Sequence, residues 1–513
     1  PNLDALAARG TVFRRGYIQN PICIPSRACL MTGRYVHQHG VEHMEPEIGA
    51  TPGLPPWERT VQERLRAEGY ATAAFGKIHQ LPPRGWDETA LTMGKGARWT
   101  VAEGSPLGPS QLGPVYAEWL EAKRPGAYES IYAQRRRPEY REQATAVVNT
   151  LAADEYVDYW IGENTWKYLD RPGVGRQDRP FFLWCGFCGP HGPFDPPEPY
   201  ASMFRPDEMP LSPLLRARQR NAPGADRTSR FDTPNGAALA RKLTAYYWGM
   251  VTFIDDMLGR IMDVLTRRGL WENTLVIFTT DHGEMLGDFG RMGKETFTEA
   301  VIRAPYIVVP PAGALRPNVS PPLAPPRAGT TQGLTLGRET QEPQGHSHGQ
   351  RPGLHFVDSL VEHIDLVPTI LDYAGVAQPG ELPGISLRPV LESLPGEARP
   401  RTKDAILCEF VPGHRQQRFK CVRTERYKYV FGGPADAAQN GQAVQFYDLQ
   451  QDPLETENVA ADPQYRAEIE RHAQLLLQRL TWTEQTPWNS GGAGAAPPAA
   501  LDHFGRPLLP RPR

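Results

Sequence analysis

The apolar run Leu275-Val-Ile-Phe-Thr279 has the length of a buried strand and leads straight into Asp281-His282-Gly283. It follows a stripe of apolar side chains spaced three or four residues apart: Tyr247, Val251, Ile254, Leu258, Ile261 and Leu265. That is one face of an amphipathic helix, which Gly269 ends. The same order occurs earlier. Thr60-Val-Gln-Glu63 is a capping box for a helix that stops at Gly69, Tyr70–Phe75 reads as a strand, and Gly76-Lys77-Ile78-His79 follows it. Tyr306–Val309 is a further short strand. Helices and strands that alternate in this way over about the first 310 residues leave few architectures open, namely a sheet with helices on its faces. Polar residues at the strand ends fall where open α/β sheets build their ligand crevices.

The texture changes toward the C-terminus. Positions 311–355 are rich in Pro, Gly, Thr and Gln without periodicity, and read as a surface insertion or disordered loop. Asp365–Gly375 reads as a short helix. Ala405–Val411, Arg418–Arg423, Tyr427–Phe431 and Val444–Tyr447 are strands with no room for helices between them, so a small antiparallel sheet is expected. Asp462-Pro463 then caps a helix with Ile469, Ala473, Leu476 and Leu480 on one face. The expected organisation is an α/β domain over 1–398 with a large mixed central sheet, a smaller α+β domain over 399–482, and a loosely attached tail over 483–513.

Composition removes several classes of function. With 513 residues, about three quarters of the unfolded surface can be buried, so a large core is available. The 56 basic and 58 acidic side chains leave a net charge of −2, without the cationic excess that nucleic acids or anionic membranes require. No apolar run approaches the ~20 residues of a spanning helix. Six cysteines are too few for a disulfide-built scaffold of this length, and Cys185-Gly-Phe-Cys188 continues the apolar run Phe181–Trp184, so these two read as buried strand cysteines. The chain starts at Pro1 without Met, which leaves signal peptide and localisation unread.

Cys23-Ile24-Pro25-Ser26-Arg27 is the most informative pentapeptide. Pro25 suits the first turn of a helix that Ala28–Thr32 continues and Gly33 stops. Cys23 then lies at a helix N-terminus, where free N–H groups and the dipole favour anions, and Arg27 can turn back toward the same spot. Lys77, His79, His191 and the pair Asp281-His282 each follow a strand. Taken singly, each also reads as an ordinary loop residue; three loops converging on one crevice read as a site. Asp281 and His282 offer an oxygen and an imidazole, half of a divalent site, whereas Glu284 and Asp288 read as loop carboxylates.

Cys23-X-Pro25-Ser26-Arg27 followed by Leu30-Met-Thr-Gly-Arg34 resembles the signature of the sulfatases, a branch of the alkaline-phosphatase-like hydrolases. Further blocks are similar in order along nearly the whole chain: Asn2–Gly10, Gly76–His79, Thr280–Gly283 with Gly293-Lys294, and Arg426–Tyr429 with Tyr447–Leu449 and Asp452-Pro453. The resemblance implies that a formylglycine-generating enzyme converts Cys23 to Cα-formylglycine, whose hydrate attacks a sulfate monoester and forms a covalent sulfo-enzyme. It implies that Cys23, Asp281 and His282 hold one divalent metal ion, that Lys77 and Lys294 bind the sulfate, and that Arg27 stabilises the nucleophile. His191, in Pro190-His-Gly-Pro193, or Lys294 would protonate the leaving alcohol, and His79 would take the proton that releases sulfate. The substrate would be a sulfated small molecule or saccharide.

The Asp281-His282 pair departs from the commoner Asp-Asn and also occurs in phosphonate monoester and phosphodiester hydrolases. It keeps that activity as the alternative, and Mn²⁺ beside Ca²⁺ as the metal. A non-catalytic binding protein is a third reading, which the complete pentapeptide opposes. In the family an acidic pair on a first strand precedes the helix resembling Asn2–Gly10. Residues 1–513 are therefore expected to start after that strand, to bind metal weakly and to leave a gap in the sheet. Substrate preference would lie in the loops 92–132, 195–232 and 311–355. Trp99, Tyr116 and Trp119 could line a saccharide or aryl site, but read better as core.

Overall fold

A computed structural model describes residues 1–43, 53–80, 82–95, 113–176, 179–217, 219, 229–314, 354–380, 382–393, 400, 402–412, 417–433 and 444–484. Trp99, the bulk of the 311–355 insertion and the tail beyond 484 lie outside the described residues. The strands are β1 (Thr11–Phe13), β2 (Gly16–Tyr17), β3 (Ala71–Lys77), β4 (Glu88–Thr92), β5 (Phe181–Gly186), β6 (Val276–Thr279), β7 (Arg303–Ala304) and β8 (Tyr306–Val309). They continue as β9 (His355–Val357), β10 (Val361–Glu362), β11 (Ala405–Phe410), β12 (Arg418–Thr424), β13 (Tyr427–Gly433) and β14 (Val444–Asp448).

The first ten strands fall into three hydrogen-bonded groups. β4-β3-β5 is wholly parallel, β6-β8-β1-β9 is mixed, and β10-β2-β7 is a short mixed triplet. The groups containing β3 and β8 share the same covering layers, because alternate side chains of a strand face opposite sides. Ala73 and Phe75 of β3, with Ile307 and Val309 of β8, pack against helices Asn2–Arg9, Val157–Leu169 and Gly236–Arg267. On the other face Ala74 meets Met31, and Tyr306 and Val308 meet Leu30, both on the helix Cys23–Thr32. All four residues of β8 are buried, which explains its unbroken apolar run. β5 and β6 each pair on one side only among the described residues, and Phe181–Cys185 and Val276–Thr279 are half-buried.

Helix ends are held over long sequence distances. The backbone N–H groups of Asn2 and Leu3 donate to the Asp255 carboxylate at 2.9 and 2.7 Å. These first-turn donors have no partner within their own helix. The helix that carries the apolar stripe is longer than the stripe itself and spans Gly236–Arg267.

β11–β14 form the expected antiparallel meander. One face, with Ile406, Cys408 and Phe410, packs on Tyr17, Ile22 and Ile302 of the preceding part of the chain. The other face, with Ala405 and Leu407, packs on Leu476 and Tyr465 of the closing helical segment, and the helix proper spans Arg466–Thr483. Asp462 accepts from the Gln464 N–H at 3.0 Å, the capping role its sequence suggests.

Candidate active site

Cys23 opens the helix Cys23–Thr32, preceded by Ile22 in extended conformation. Asn20 Oδ1 accepts from the Ile22 N–H at 2.9 Å and fixes the approach. Gly33 ends the helix at φ 71°, a left-handed position that favours glycine, and a Cβ there would lie 2.8 Å from Val367. The segment therefore presents Cys23 at the positive end of a buried helix whose direction is set at both termini.

Three cationic or imidazole groups surround the sulfur. Lys294 Nζ donates to Cys23 Sγ at 2.5 Å, Lys77 Nζ is 3.7 Å away, and His282 Nε2 is 3.1 Å away. Lys294 Nζ also contacts His282 Nε2 at 2.9 Å. Burial alone would raise the pKa of the thiol. The charges of Lys294, Lys77 and His282 outweigh it and hold the group well below the ordinary thiol range, as a thiolate. Lys77 is the last residue of β3 and is 4 % exposed, so it is no solvated loop charge.

Arg27 does its work one step away from Cys23. Its Nε donates to Asp281 Oδ2 at 2.8 Å and its Nη1 to the Lys77 carbonyl at 2.6 Å. This corrects the expectation that the guanidinium turns back to the helix start. One turn into the helix, it reaches across to the ends of β6 and β3 instead. Burial would raise the Asp281 pKa, but the adjacent Arg27 charge drives it far below the usual carboxylate range. Cys23, Asp281 and His282 offer sulfur, oxygen and nitrogen donors, one from each, that all lie within 4.8 Å of one another. An ionised carboxylate with an imidazole and a third donor fits a divalent cation.

His79 is 7 % exposed and sits at φ 52°, two residues past the end of β3. Its Nε2 donates to the Met93 carbonyl at 2.5 Å, and its Nδ1 is buried without a hydrogen-bond partner. Burial first, and the Lys77 charge second, lower its pKa to about 4, so the ring is neutral near pH 7. His191 is exposed, on the turn after β5; its Nδ1 donates to the Gly192 carbonyl at 2.5 Å, and its ring is among the neighbours that lower the Cys23 pKa, after Lys294, Lys77 and His282. All eight candidate residues therefore belong to one cluster.

Other residues with chemistry in their side chains lie outside it. Glu284 accepts from the Leu286 and Gly293 N–H groups, and Asp288 from Ser212, so both are loop carboxylates. Burial pushes the Cys185 and Cys188 thiols up to about 12. Cys188 falls just past the end of β5, so only Cys185 is a strand residue. Tyr116 is fully buried and stacks on Trp119, as core.

Two further contributors were not singled out as site residues by the sequence. Ser26 Oγ donates to the Asp281 carbonyl at 2.5 Å. Trp184 Nε1 donates to the Lys77 carbonyl at 3.1 Å and lies under Arg27. Ser26 stands within the pentapeptide, whereas Trp184 is hidden in an apolar strand run.

The chain is similar to known proteins over nearly its whole length. The sulfatase family model matches residues 1–376, and the C-terminal model of N-sulphoglucosamine sulphohydrolase matches 350–482. An arylsulfatase of Clostridium perfringens is 26% identical over 493 residues, covering 94% of this chain and 90% of the relative. The multifunctional alkaline phosphatase superfamily protein PehA of Trinickia caryophylli is 28% identical over 528 residues, covering 95% and 90%. The crystal structure of a phosphonate monoester hydrolase of Agrobacterium radiobacter superposes with a TM-score of 0.68 at 23% identity, covering 100% of this chain and 95% of the other.

Proposed function

This chain belongs to the sulfatase family and is a sulfuric ester hydrolase, and from that premise we propose that it cleaves sulfate monoesters by means of a formylglycine made from Cys23. The observation that carries the reading is the buried Cys23 sulfur at a helix start, with two ammonium groups and an imidazole within 3.7 Å. When formed, the hydrated aldehyde supplies the hydroxyl that attacks sulfur, and Cys23 Sγ stands in for that oxygen. Position 23, Asp281 and His282 would hold a divalent cation, which would supply positive charge to the site; Ca²⁺ would suit the carboxylate, and Mn²⁺ is the alternative that the imidazole favours.

Lys77 and Lys294 bind the sulfate oxygens. Fixed cations in a site shielded from water stabilise the charge that moves onto the bridging oxygen. Arg27 keeps Asp281 ionised and ties it to the end of β3. His191 at the exposed rim, or Lys294, gives a proton to the departing alcohol, and His79 takes up a proton at Nδ1 when sulfate is released. The substrate is a sulfated small molecule or saccharide, and a formylglycine-generating enzyme is the partner that prepares the site. Residues 1–398 are read as the catalytic domain and 399–482 as the smaller one.

Trypsin releases Gly16–Arg27, and in active enzyme this peptide is expected to carry the mass of aldehyde in place of thiol. A fully thiol peptide from an active preparation would overturn the proposed nucleophile. Hydrolysis of phosphonate monoesters or phosphodiesters is the second reading, favoured by His282 beside Asp281. The ratio of kcat/KM for sulfate, phosphate-diester and phosphonate esters on one preparation decides between them.

A further inference from the structure

The turn that carries His191 is held at both ends by buried groups that the chemistry above does not use. At the near end Asp158, on the helix Val157–Leu169, accepts from the Cys188 N–H at 2.6 Å and the Gly189 N–H at 3.1 Å. At the far end the ammonium of Lys95 donates to the Pro193 carbonyl at 2.8 Å. Lys95 lies three residues past β4 and is 2 % exposed. It also donates to the Tyr156 hydroxyl at 2.5 Å and to Asp195 Oδ1 at 3.2 Å. Asp195 accepts in turn from Tyr156 at 3.0 Å and from Asn149 Nδ2 at 3.1 Å, with Arg135 3.7 Å away.

A buried ion pair is poor evidence for stability, because desolvating both charges cancels much of their attraction, and apolar side chains of similar volume often hold a fold equally well. Apolar packing cannot, however, grip one carbonyl oxygen in one place. Lys95 does so two residues from His191, and Asp195 fixes Lys95.

We propose that Lys95, held by Asp195, is a positioning residue: it clamps the Pro193 carbonyl and thereby sets the His191 imidazole over the site. The proposal rests on the reading of His191 as a proton donor to the leaving group. The tightness of the grip matters because a misplacement of about 1 Å can cost roughly 10²-fold in rate.

The test uses the full chain produced together with a formylglycine-generating enzyme. kcat/KM is measured for a nitrophenyl sulfate, whose leaving group needs no proton, and for an alkyl sulfate, whose leaving group does. The variants are Lys95→Met, His191→Ala and the double substitution. Lys95→Met is expected to lower alkyl sulfate hydrolysis by roughly tenfold to 10²-fold. Its loss is expected to vanish once His191 is already alanine, since both changes remove the same placed imidazole. Losses that multiply in the double variant would overturn the clamp. Asp195→Asn, which keeps the shape and removes the charge holding Lys95, undergoes the same cycle and decides the matter if Lys95→Met does not fold. Failure of the proton-donor reading shows separately, as an equal loss on both esters in His191→Ala. The clamp is judged by non-additivity alone.

Discussion

Lys294 touches both the Cys23 sulfur and His282 Nε2, and Lys77 approaches the same sulfur from the end of a strand. Neither ammonium holds a core element together, so their value lies in charge placed beside a developing anion. Lys77→Ala and Lys294→Ala are each expected to lower kcat/KM for a sulfate ester by roughly 10²–10³-fold, with circular dichroism and yield of soluble protein unchanged. Arg27 should behave differently because it acts through Asp281. Arg27→Ala leaves a buried carboxylate without its counter-charge, so the Asp281 pKa rises and the site holds a cation less well. Calorimetric titration with Ca²⁺ and Mn²⁺ should therefore record a larger loss of affinity for Arg27→Ala than for Lys77→Ala, and equal affinities would remove Arg27 from that role.

At the scale of elements, the short helix Val36–His39 carries a titration device of its own. His39 is 1 % exposed; its Nδ1 accepts from the Val41 N–H at 3.1 Å and its Nε2 lies 3.3 Å from Cys29 Sγ. Burial lowers its pKa to about 3, with Arg34 and His37 adding to the fall and Glu409 opposing it. The sign follows from which state binds more protons. Between the unfolded value of about 6.5 and the folded value, only the unfolded chain is protonated at this position. Stability contributed by neutral His39 is thus complete above pH 6.5 and is lost as pH falls, at about 1.4 kcal/mol per pH unit. Urea unfolding at pH 7 and pH 5 should show this slope, and His39→Gln should flatten it by about one proton. An unchanged slope would show that His39 is solvated in the native state. The helix that carries Cys23 depends likewise on Gly33, and Gly33→Ala should lower the unfolding midpoint because both φ and the contact with Val367 oppose a Cβ.

Across the whole molecule, one buried carboxylate ties the two parts of the chain together. Glu362 of β10 accepts from the Tyr35 hydroxyl at 3.0 Å, the Leu407 N–H of β11 at 3.0 Å and Lys403 Nζ at 2.6 Å. Arg479 of the closing helix lies 3.9 Å from it, and Lys403 also pairs with Asp365. Lys403→Met would take the ammonium from two fully buried carboxylates, leaving Glu362 with the more distant Arg479 as counter-charge. It is expected to destabilise the protein by about 3–5 kcal/mol in denaturant titrations, with both parts unfolding in one transition. Two separate transitions would show that the meander folds independently of the α/β layers.

The chain's own pattern determined the elements and pointed to most of the candidate site residues. Capping boxes, apolar stripes and runs bounded by glycine are local properties, and they placed Thr60–Gly69, β6, β8 and the meander within a few residues of where they lie. Cys23 at a helix start, Lys77 at the end of β3, and His79, His191, Asp281 and His282 on the loops that follow strands were legible as candidates from their placement, whereas Lys294 was legible only from its motif. Tertiary structure alone decided which group touches which. Arg27 reaches Asp281 rather than Cys23, Trp184 leaves its apolar run to bind the Lys77 carbonyl, and Lys95 finds Pro193 across 98 residues. The division of the sheet into hydrogen-bonded groups was equally out of reach. Spacing along a chain encodes the faces of its own helix or strand, but a hydrogen bond between distant segments depends on how those elements stack. That stacking follows from the summed burial of many side chains, which no single motif records.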